Sequence, residues 1–568
     1  MKLVFERELV EAFVVDFPER AGLLAQARFS DRIEIGLSAL AADEIARLHD
    51  LATAGNRPAT PRLDQLAAFA RAVAEDGPRF GPDDLDRLAP ALALRLVEGA
   101  RRGWLFRADP AGRPMPWLVT RLDYTPPAEE ESGRIILELK ANSRGRIAVE
   151  TLMIRARDLT GRTVVGTLAA LGWLTEDDSL LAAFDERSVR YFDWRARSGE
   201  QFTGLGVGIW AEDPAAARRD TDWARKAVVV LSSTGQPARL VVDEDLLGDR
   251  ALGLDASGLF LDKLIRRSGK ADWFDRDGDR ALKVAHDRVP HGAFTELPVH
   301  PLVFVFHLDL HHHLWVHVDD LAPYHYQPDL KRKLVLPPEQ TDLVDILTAE
   351  MDTLMEDVVA GKSGGTTVLC AGPPGVGKTL TAGVYAEIVG RPLYRVHSGQ
   401  LGLDVAQMES RLKEALTRAQ RWGAVMLIDE ADVYIKRRCD DLTMNAVVGV
   451  FLRVLEYFNG LLFLTTNRVD DIDEAIVSRC IALIKYHPPD AADRAKIWRV
   501  MADQFALGID DATLAALVAE FPTASGRDIK GLAKLVAKWC GRKQVAPSLD
   551  VFRRCAVFRA LDVVVSSG

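Results

Sequence analysis

Apolar residues recur at helical spacing, with polar positions between them, through Ser38–Leu51, Arg62–Ala74 and Pro82–Val97. That spacing predicts a helical N-terminal domain over residues 1–110. Asp83 and Asp84, directly after Gly81-Pro82, supply the acidic start that a helix N-terminus favours. From Trp117 the period changes towards two. Trp117–Leu122, Arg134–Lys140 and Arg146–Arg155 read as strands, and Asn142-Ser143-Arg144-Gly145 reads as the hairpin connection between the last two. Ala227–Leu231, Ala238–Val242, Val299–Phe306 and Leu314–Val318 continue the pattern, which predicts a β-rich middle domain over residues 111–330. The stretch from Lys331 to Pro338 reads as a linker. After it Thr341–Val359 reads as a helix, with apolar positions at Leu343, Ile346, Leu347, Met351, Leu354 and Met355, ended by Gly361 to Gly365. An apolar run at Thr367–Ala371, a Gly-rich loop and a helical pattern at Leu380–Val389 then begin an alternation of strand and helix. That order is the context in which a Gly-rich phosphate loop is found.

At 568 residues the chain is too long for one hydrophobic core, and 48% hydrophobic with 27% charged residues is ordinary globular composition. A net charge of -10 without a basic stripe disfavours a dedicated nucleic-acid binder. Charges at Lys2, Glu6, Arg7 and Glu8 interrupt the place of a signal-peptide apolar core, and no run of about 18 apolar residues occurs, so a cytoplasmic protein without a membrane span is expected. Cys370, Cys439, Cys480, Cys540 and Cys555 form no CxxC pair, which fits reduced, structural thiols.

Three features imitate sites. Gly204-Leu205-Gly206-Val207-Gly208 lacks the spacing of either nucleotide fingerprint and reads as a turn. Asp275-Arg276-Asp277-Gly278-Asp279 places its glycine too early for a calcium loop, and His286 stands where the closing Glu belongs, so it reads as a solvated acidic turn. Seven of the twelve histidines lie at 300, 307, 311, 312, 313, 317 and 325. A zinc site is one reading of them; the other is a turn at His311-His312-His313 between two strands, without any accompanying Cys.

Chemistry concentrates further on. Gly372-Pro373-Pro374-Gly375-Val376-Gly377-Lys378-Thr379, with Leu380 after it, is a complete P-loop in its confirming context, a strand before and a helix after. Its glycines let backbone N–H groups converge on phosphate oxygens, Lys378 reaches the β/γ-phosphates, and the Thr379 hydroxyl ligates Mg²⁺. Some fifty residues later the apolar run Ala424–Ile428 ends in Asp429-Glu430, where Asp429 can hold Mg²⁺ through water and Glu430 can act as general base. The next apolar run, Leu461–Thr465, leads to Asn467, whose amide suits orientation of a lytic water; Arg479 follows in Ser478-Arg479-Cys480. An Arg so placed can act as a finger on a neighbouring subunit's nucleotide.

This series resembles the AAA+ ATPases over residues from about 335 to 545. The resemblance makes Asp429-Glu430 the Walker B pair, Asn467 sensor 1, Arg479 the arginine finger and Arg527, in Ser525-Gly526-Arg527-Asp528, sensor 2. It implies an α/β P-loop NTPase domain with a parallel five-stranded sheet over 331–487 and a small helical lid from about Pro488, with a C-terminal tail, over 488–568. It further implies ATP and Mg²⁺ as cofactors and assembly into a ring, usually a hexamer, with sites between subunits. Two departures stand out. The Ser-Arg-Cys context of Arg479 is more similar to clamp loaders than to members with a Gly-Arg-Phe-Asp context. The stretch Ser398–Glu409, equivalent to the pore loop of protein-threading members, has no aromatic residue, leaving Leu401 or Leu403 as its apolar candidates.

The expected function is an oligomeric ATPase that remodels a protein or complex, with residues 1–330 serving as substrate, adaptor or regulatory domains. The alternatives are a slow, nucleotide-dependent switch or scaffold, and a DNA-acting motor or loader, which the acidic balance opposes.

Overall fold

A computed structural model of the chain describes residues 2–26, 30–54, 61–98, 100–127, 132–212, 228–232, 236–247, 265–267, 288–335, 340–342, 365–402, 404–437 and 442–561, with single positions at 214, 284 and 346. The acidic turn at Asp275–Asp279, most of the helix expected over Thr341–Val359, Leu403 and Cys439 lie outside the described residues.

The N-terminal region is helical, as the periodicity predicts, over Ala42–Thr53, Pro61–Ala74 and Leu85–Val97. It also holds an antiparallel strand pair, Lys2–Glu6 with Arg32–Gly36, which the helical expectation did not contain. Ile33 and Ile35 alternate inward on that pair and meet Val10, Phe13, Ile45 and Leu48 in one cluster. The cluster crosses residue 110 without a break and takes in Leu118, Leu137 and Phe184. Two antiparallel sheets follow. The first orders Arg146–Arg155, Arg134–Ser143, Pro114–Thr125, Trp104–Ala108 and Trp173–Thr175, with Ile265–Arg267 joining Pro114–Thr125 in parallel. The expected hairpin is present. Its two-residue turn has φ of 54° at Arg144 and 69° at Gly145, the positive pair that matches the twist of tightly joined strands.

The second sheet has seven strands, in the order 229–230, 207–210, 312–317, 302–307, 238–242, 201–204 and 321–323. Two elements interrupt the expected β-rich run: Val164–Ala170 and the 18-residue helix Asp178–Arg195, the latter capped by the Asp177 carboxylate accepting from the Leu180 N–H. The Gly204–Gly208 stretch is a bend. A Cβ at Gly206 would stand 2.6 Å from Asp320 Oδ1, and the backbone there has φ of 97°, so glycine is required. The turn expected at His311–His313 is shifted: His311 occupies it at φ 57°, while His312 and His313 already belong to the strand.

The α/β unit is built on five parallel strands in the order Leu393–His397, Val425–Asp429, Leu461–Thr466, Thr366–Ala371 and Ala482–Lys485. Both faces are covered at the inner strands, which is why Thr366–Ala371, Val425–Asp429 and Leu461–Thr466 read as near-continuous apolar runs, whereas the edge strand Leu393–His397 alternates. Ala382, Tyr385 and Ala386 of helix Lys378–Val389 pack on one face. Helices Val405–Arg421 and Leu442–Leu455 pack on the other. A four-helix unit follows, at Ala491–Gln504, Asp511–Glu520, Gly526–Lys543 and Leu549–Val557, around Trp498, Phe521, Ile529, Leu532 and Phe552. No helix of the described residues is long and apolar enough to cross a membrane.

The seven-stranded sheet docks on the α/β unit. Phe306 packs on Trp422 with ring centroids 5.0 Å apart, and the Arg418 guanidinium lies 4.6 Å over the Phe306 ring. Within this contact Asp243 is fully buried. Its carboxylate accepts from Arg421 Nε and Nη2 at 2.7 Å each and from Trp422 Nε1 at 2.8 Å, and pairs with His313 Nε2 at 2.8 Å. Burial pushes this carboxyl up, but the His313 and Arg421 partners outweigh it and hold the group below its ordinary value.

Candidate functional site

At the C-terminal edge of the parallel sheet, where open α/β folds bind ligands, lies a cavity of about 650 Å³. Its floor is the loop Pro374–Leu380; Asp429, Glu430, Thr465, Thr466 and Asn467 form one wall, and Gly526, Arg527 and Lys530 face them from the four-helix unit. Leu334, Val335, Ile497 and Met501 give it an apolar end.

The loop owes its shape to glycine. Gly372, Gly375 and Gly377 have φ of 155°, 86° and 105°, and Gly377 starts helix Lys378–Val389. A Cβ at Gly375 would stand 2.7 Å from Ser525 Oγ and 3.0 Å from Arg527 Cβ, while the Arg527 N–H donates to Gly375 O at 3.2 Å. The helical unit thus closes directly on the loop.

Lys378 is folded over the loop, donating to Gly372 O at 2.6 Å, Pro373 O at 2.7 Å and Asn467 Oδ1 at 2.9 Å. Burial pushes its ammonium down, with Asp432 and Asp429 opposing the shift. Asp429 Oδ1 accepts from Thr379 Oγ1 at 3.0 Å and from Thr465 Oγ1 at 2.5 Å, and Oδ2 pairs with Arg395 at 2.5 Å. Burial raises this carboxyl, but those donors prevail and keep it below its usual range, hence ionised at neutral pH. Glu430 is exposed in the left-handed region at φ 56°, and its N–H is held by Thr465 Oγ1 at 3.0 Å. Asn467 is set by its N–H donating to Asp432 Oδ1 at 3.0 Å, and Thr466 Oγ1 donates to the same oxygen.

A segment from the seven-stranded sheet reaches this site. Tyr324 Oη donates to Glu387 Oε1 at 2.6 Å and the Gln327 N–H to Oε2 at 2.9 Å, pinning the segment to helix Lys378–Val389. Its continuation supplies Leu330, Lys333, Leu334 and Val335 to the cavity.

The cavity therefore gathers Lys378, Thr379, Leu380, Asp429, Glu430, Asn467 and Arg527 from distant parts of the chain, with Gly372 and Pro373 just behind as acceptors for Lys378. Arg479 is not in its lining. It lies on the surface, where Nη2 pairs with Glu456 at 2.5 Å and Nη1 donates to Ala475 O. Residues that sequence reasoning missed include Arg395, Thr465, Asp432 and the apolar end at Leu334, Ile497 and Met501. Leu401 is 1% exposed and belongs to the core, so it does not serve as an apolar pore residue here. Tyr434 Oη sits within hydrogen-bond distance of both Ser398 O and Gly402 O, at the two ends of the short helix Ser398–Leu401, and shares its one proton between them.

The other candidates are absorbed by packing. His300 is buried with Nε2 2.9 Å from Pro116 O, and burial pushes it down to about 4. Among the described residues no group of three His, Cys, Asp or Glu is placed to hold a metal ion. Cys370 is buried in the P-loop strand, with its thiol pushed up to about 12.

The donor set and left-handed glycines fit a phosphate chain, and Thr379 beside Asp429 fits a divalent cation. The fold and cavity define a P-loop nucleotide-binding protein. Residues 368–487 match the ATPase family associated with various cellular activities (AAA), so this stretch of the chain is an AAA domain. It is 32% identical to the ATP-dependent zinc metalloprotease FtsH 3 of Sphaerobacter thermophilus over 29% of this chain and 35% of that protein. It is 30% identical to the human peroxisomal ATPase PEX1 over 29% of this chain and 14% of that protein, and 27% identical to the rat ATPase family AAA domain-containing protein 3A over 31% and 32%. The chain thus spans about a third or less of these relatives.

Proposed function

We propose that this chain is a Mg²⁺-dependent ATPase that assembles into a ring, usually of six subunits in this family, and remodels a protein or complex. The observation that carries the reading is the placement of Asp429 and Glu430 opposite Thr379 and Lys378, with Asn467 beside them. Bound Mg²⁺·ATP supplies the electrophilic γ-phosphoryl group. With nucleotide and metal bound, the loop from Gly372 to Thr379 would cradle the phosphates, Thr379 and, through water, Asp429 would hold the cation, and Lys378 would exchange its carbonyl partners for phosphate oxygens. Glu430 takes the proton of a water that Asn467 orients, and Arg527 faces the phosphates from the lid. Arg479, outside its own cavity, serves the neighbouring subunit's site. Residues 1–330 serve as substrate, adaptor or regulatory regions, and the four free cysteines among the described residues favour a cytoplasmic setting.

Glu430→Gln tests this. It is expected to bind ATP as the natural chain does and to lose hydrolysis by about 10²-fold or more; phosphate release at an undiminished rate would remove Glu430 from the chemistry. Partners trapped by the ATP-loaded variant would identify the client.

A further inference from the structure

Arg395 stands in the edge strand Leu393–His397, opposite Leu427, and belongs to none of the nucleotide-binding motifs. Its side chain is 44% exposed, yet Nη2 lies 2.5 Å from Oδ2 of Asp429, a carboxylate only 8% exposed. The other oxygen of that carboxylate already accepts from Thr379 and Thr465. The group assigned to the metal thus carries a full cationic partner drawn from another strand. The same guanidinium lines the cavity with Lys378, Thr379 and Glu430.

A hydrated divalent cation beside Thr379 and a guanidinium beside Asp429 compete for one carboxylate and repel each other at that range. We infer that Arg395 is a stand-in counter-ion for the metal carboxylate: it pairs with Asp429 until Mg²⁺ and nucleotide arrive and displace it. This rests on the nucleotide-binding reading above. Thr379 and Thr465 fix Oδ1, so the ion pair at Oδ2 sets the remaining rotation of the carboxylate. Because nearly half of the Arg395 side chain meets solvent, the guanidinium has water to turn into when displaced. A purely structural ion pair would stabilise the edge strand without any link to the metal.

The two roles separate in the dependence of nucleotide binding on Mg²⁺. A fluorescent ADP analogue is titrated into the full chain with Mg²⁺ and with EDTA, and the ratio of the two dissociation constants is taken. In Arg395→Gln and Arg395→Met the metal no longer displaces a guanidinium, and metal-free nucleotide loses a nearby cation. Both effects raise the EDTA-to-Mg²⁺ ratio, by about five-fold for a partly exposed pair. Arg395→Lys returns it towards the natural value. An unchanged or smaller ratio in Gln and Met variants that still bind overturns the inference and leaves the nucleotide reading intact. Loss of fold in both variants overturns it in favour of a structural pair. Failure of the natural chain to bind the analogue in either condition overturns the nucleotide reading itself.

Discussion

Replacing Asp243 with Ala removes a buried acceptor that ties the seven-stranded sheet to the nucleotide domain. The carboxylate is fully buried and takes two bonds from Arg421, one from Trp422 and one from His313. Its loss leaves a guanidinium only 22% exposed and a buried indole N–H without this partner. Breaking one side of a buried ion pair costs about 3–5 kcal/mol. Partial water access to Arg421 favours the lower end, while the stranded indole adds about 1 kcal/mol or more. We expect a net loss of about 4 kcal/mol, read as a lower thermal midpoint and as sheet and nucleotide domain no longer melting together. Asp243→Ala with Arg421→Met should cost less than the sum of the two, because the second change removes the stranded charge. The pH dependence has a definite sign. A carboxyl held below its unfolded value contributes stability above about pH 4, lost as pH falls through the folded value. The natural chain and the Ala variant should therefore differ most at neutral pH and converge in acid. A change below about 1 kcal/mol at pH 7, or a gap that widens in acid, would refute the reasoning.

Two further outcomes follow from the site. Arg479→Ala should keep nucleotide affinity and lose turnover by about 10³-fold, and mixing it with Lys378→Ala should restore part of the activity, since one subunit then supplies the cavity and the other the arginine; failure of every mixture to recover turnover argues against a shared site. Gly375→Ala forces a Cβ to within 2.7 Å of Ser525 Oγ in a left-handed backbone; strain of about 1–2 kcal/mol should lower the melting point of the nucleotide domain, and nucleotide affinity measured by titration should fall with it.

What was legible in the sequence was local. A P-loop needs glycines, Lys378 and Thr379 at fixed spacing between a strand and a helix, so it could be read directly, and Asp429-Glu430 and Asn467 followed from their places at strand ends. Arg395 escaped because its role depends on the pairing of His397 with Asp429, a register no local pattern reports. Asp243 escaped for the same reason: nothing in Val242-Asp243-Glu244 signals a partner 178 residues away. The helix Asp178–Arg195 was hidden by weak amphipathicity, with four buried residues along eighteen. The histidines left two readings open from composition alone; His313 and His317 share the inward face of their strand, where His313 meets Asp243 and His317 accepts from the Asp319 N–H.

The segment from Leu321 to Val335 closes the seven-stranded sheet at one end, is clasped by Glu387 in the middle and walls the cavity at the other. Such a shared element makes the two regions thermodynamically reciprocal. Any binder of the sheet that favours one position of the segment must change nucleotide affinity, and nucleotide must change that binder's affinity by the same factor. The sheet and the cavity then report on each other without a contact between their ligands.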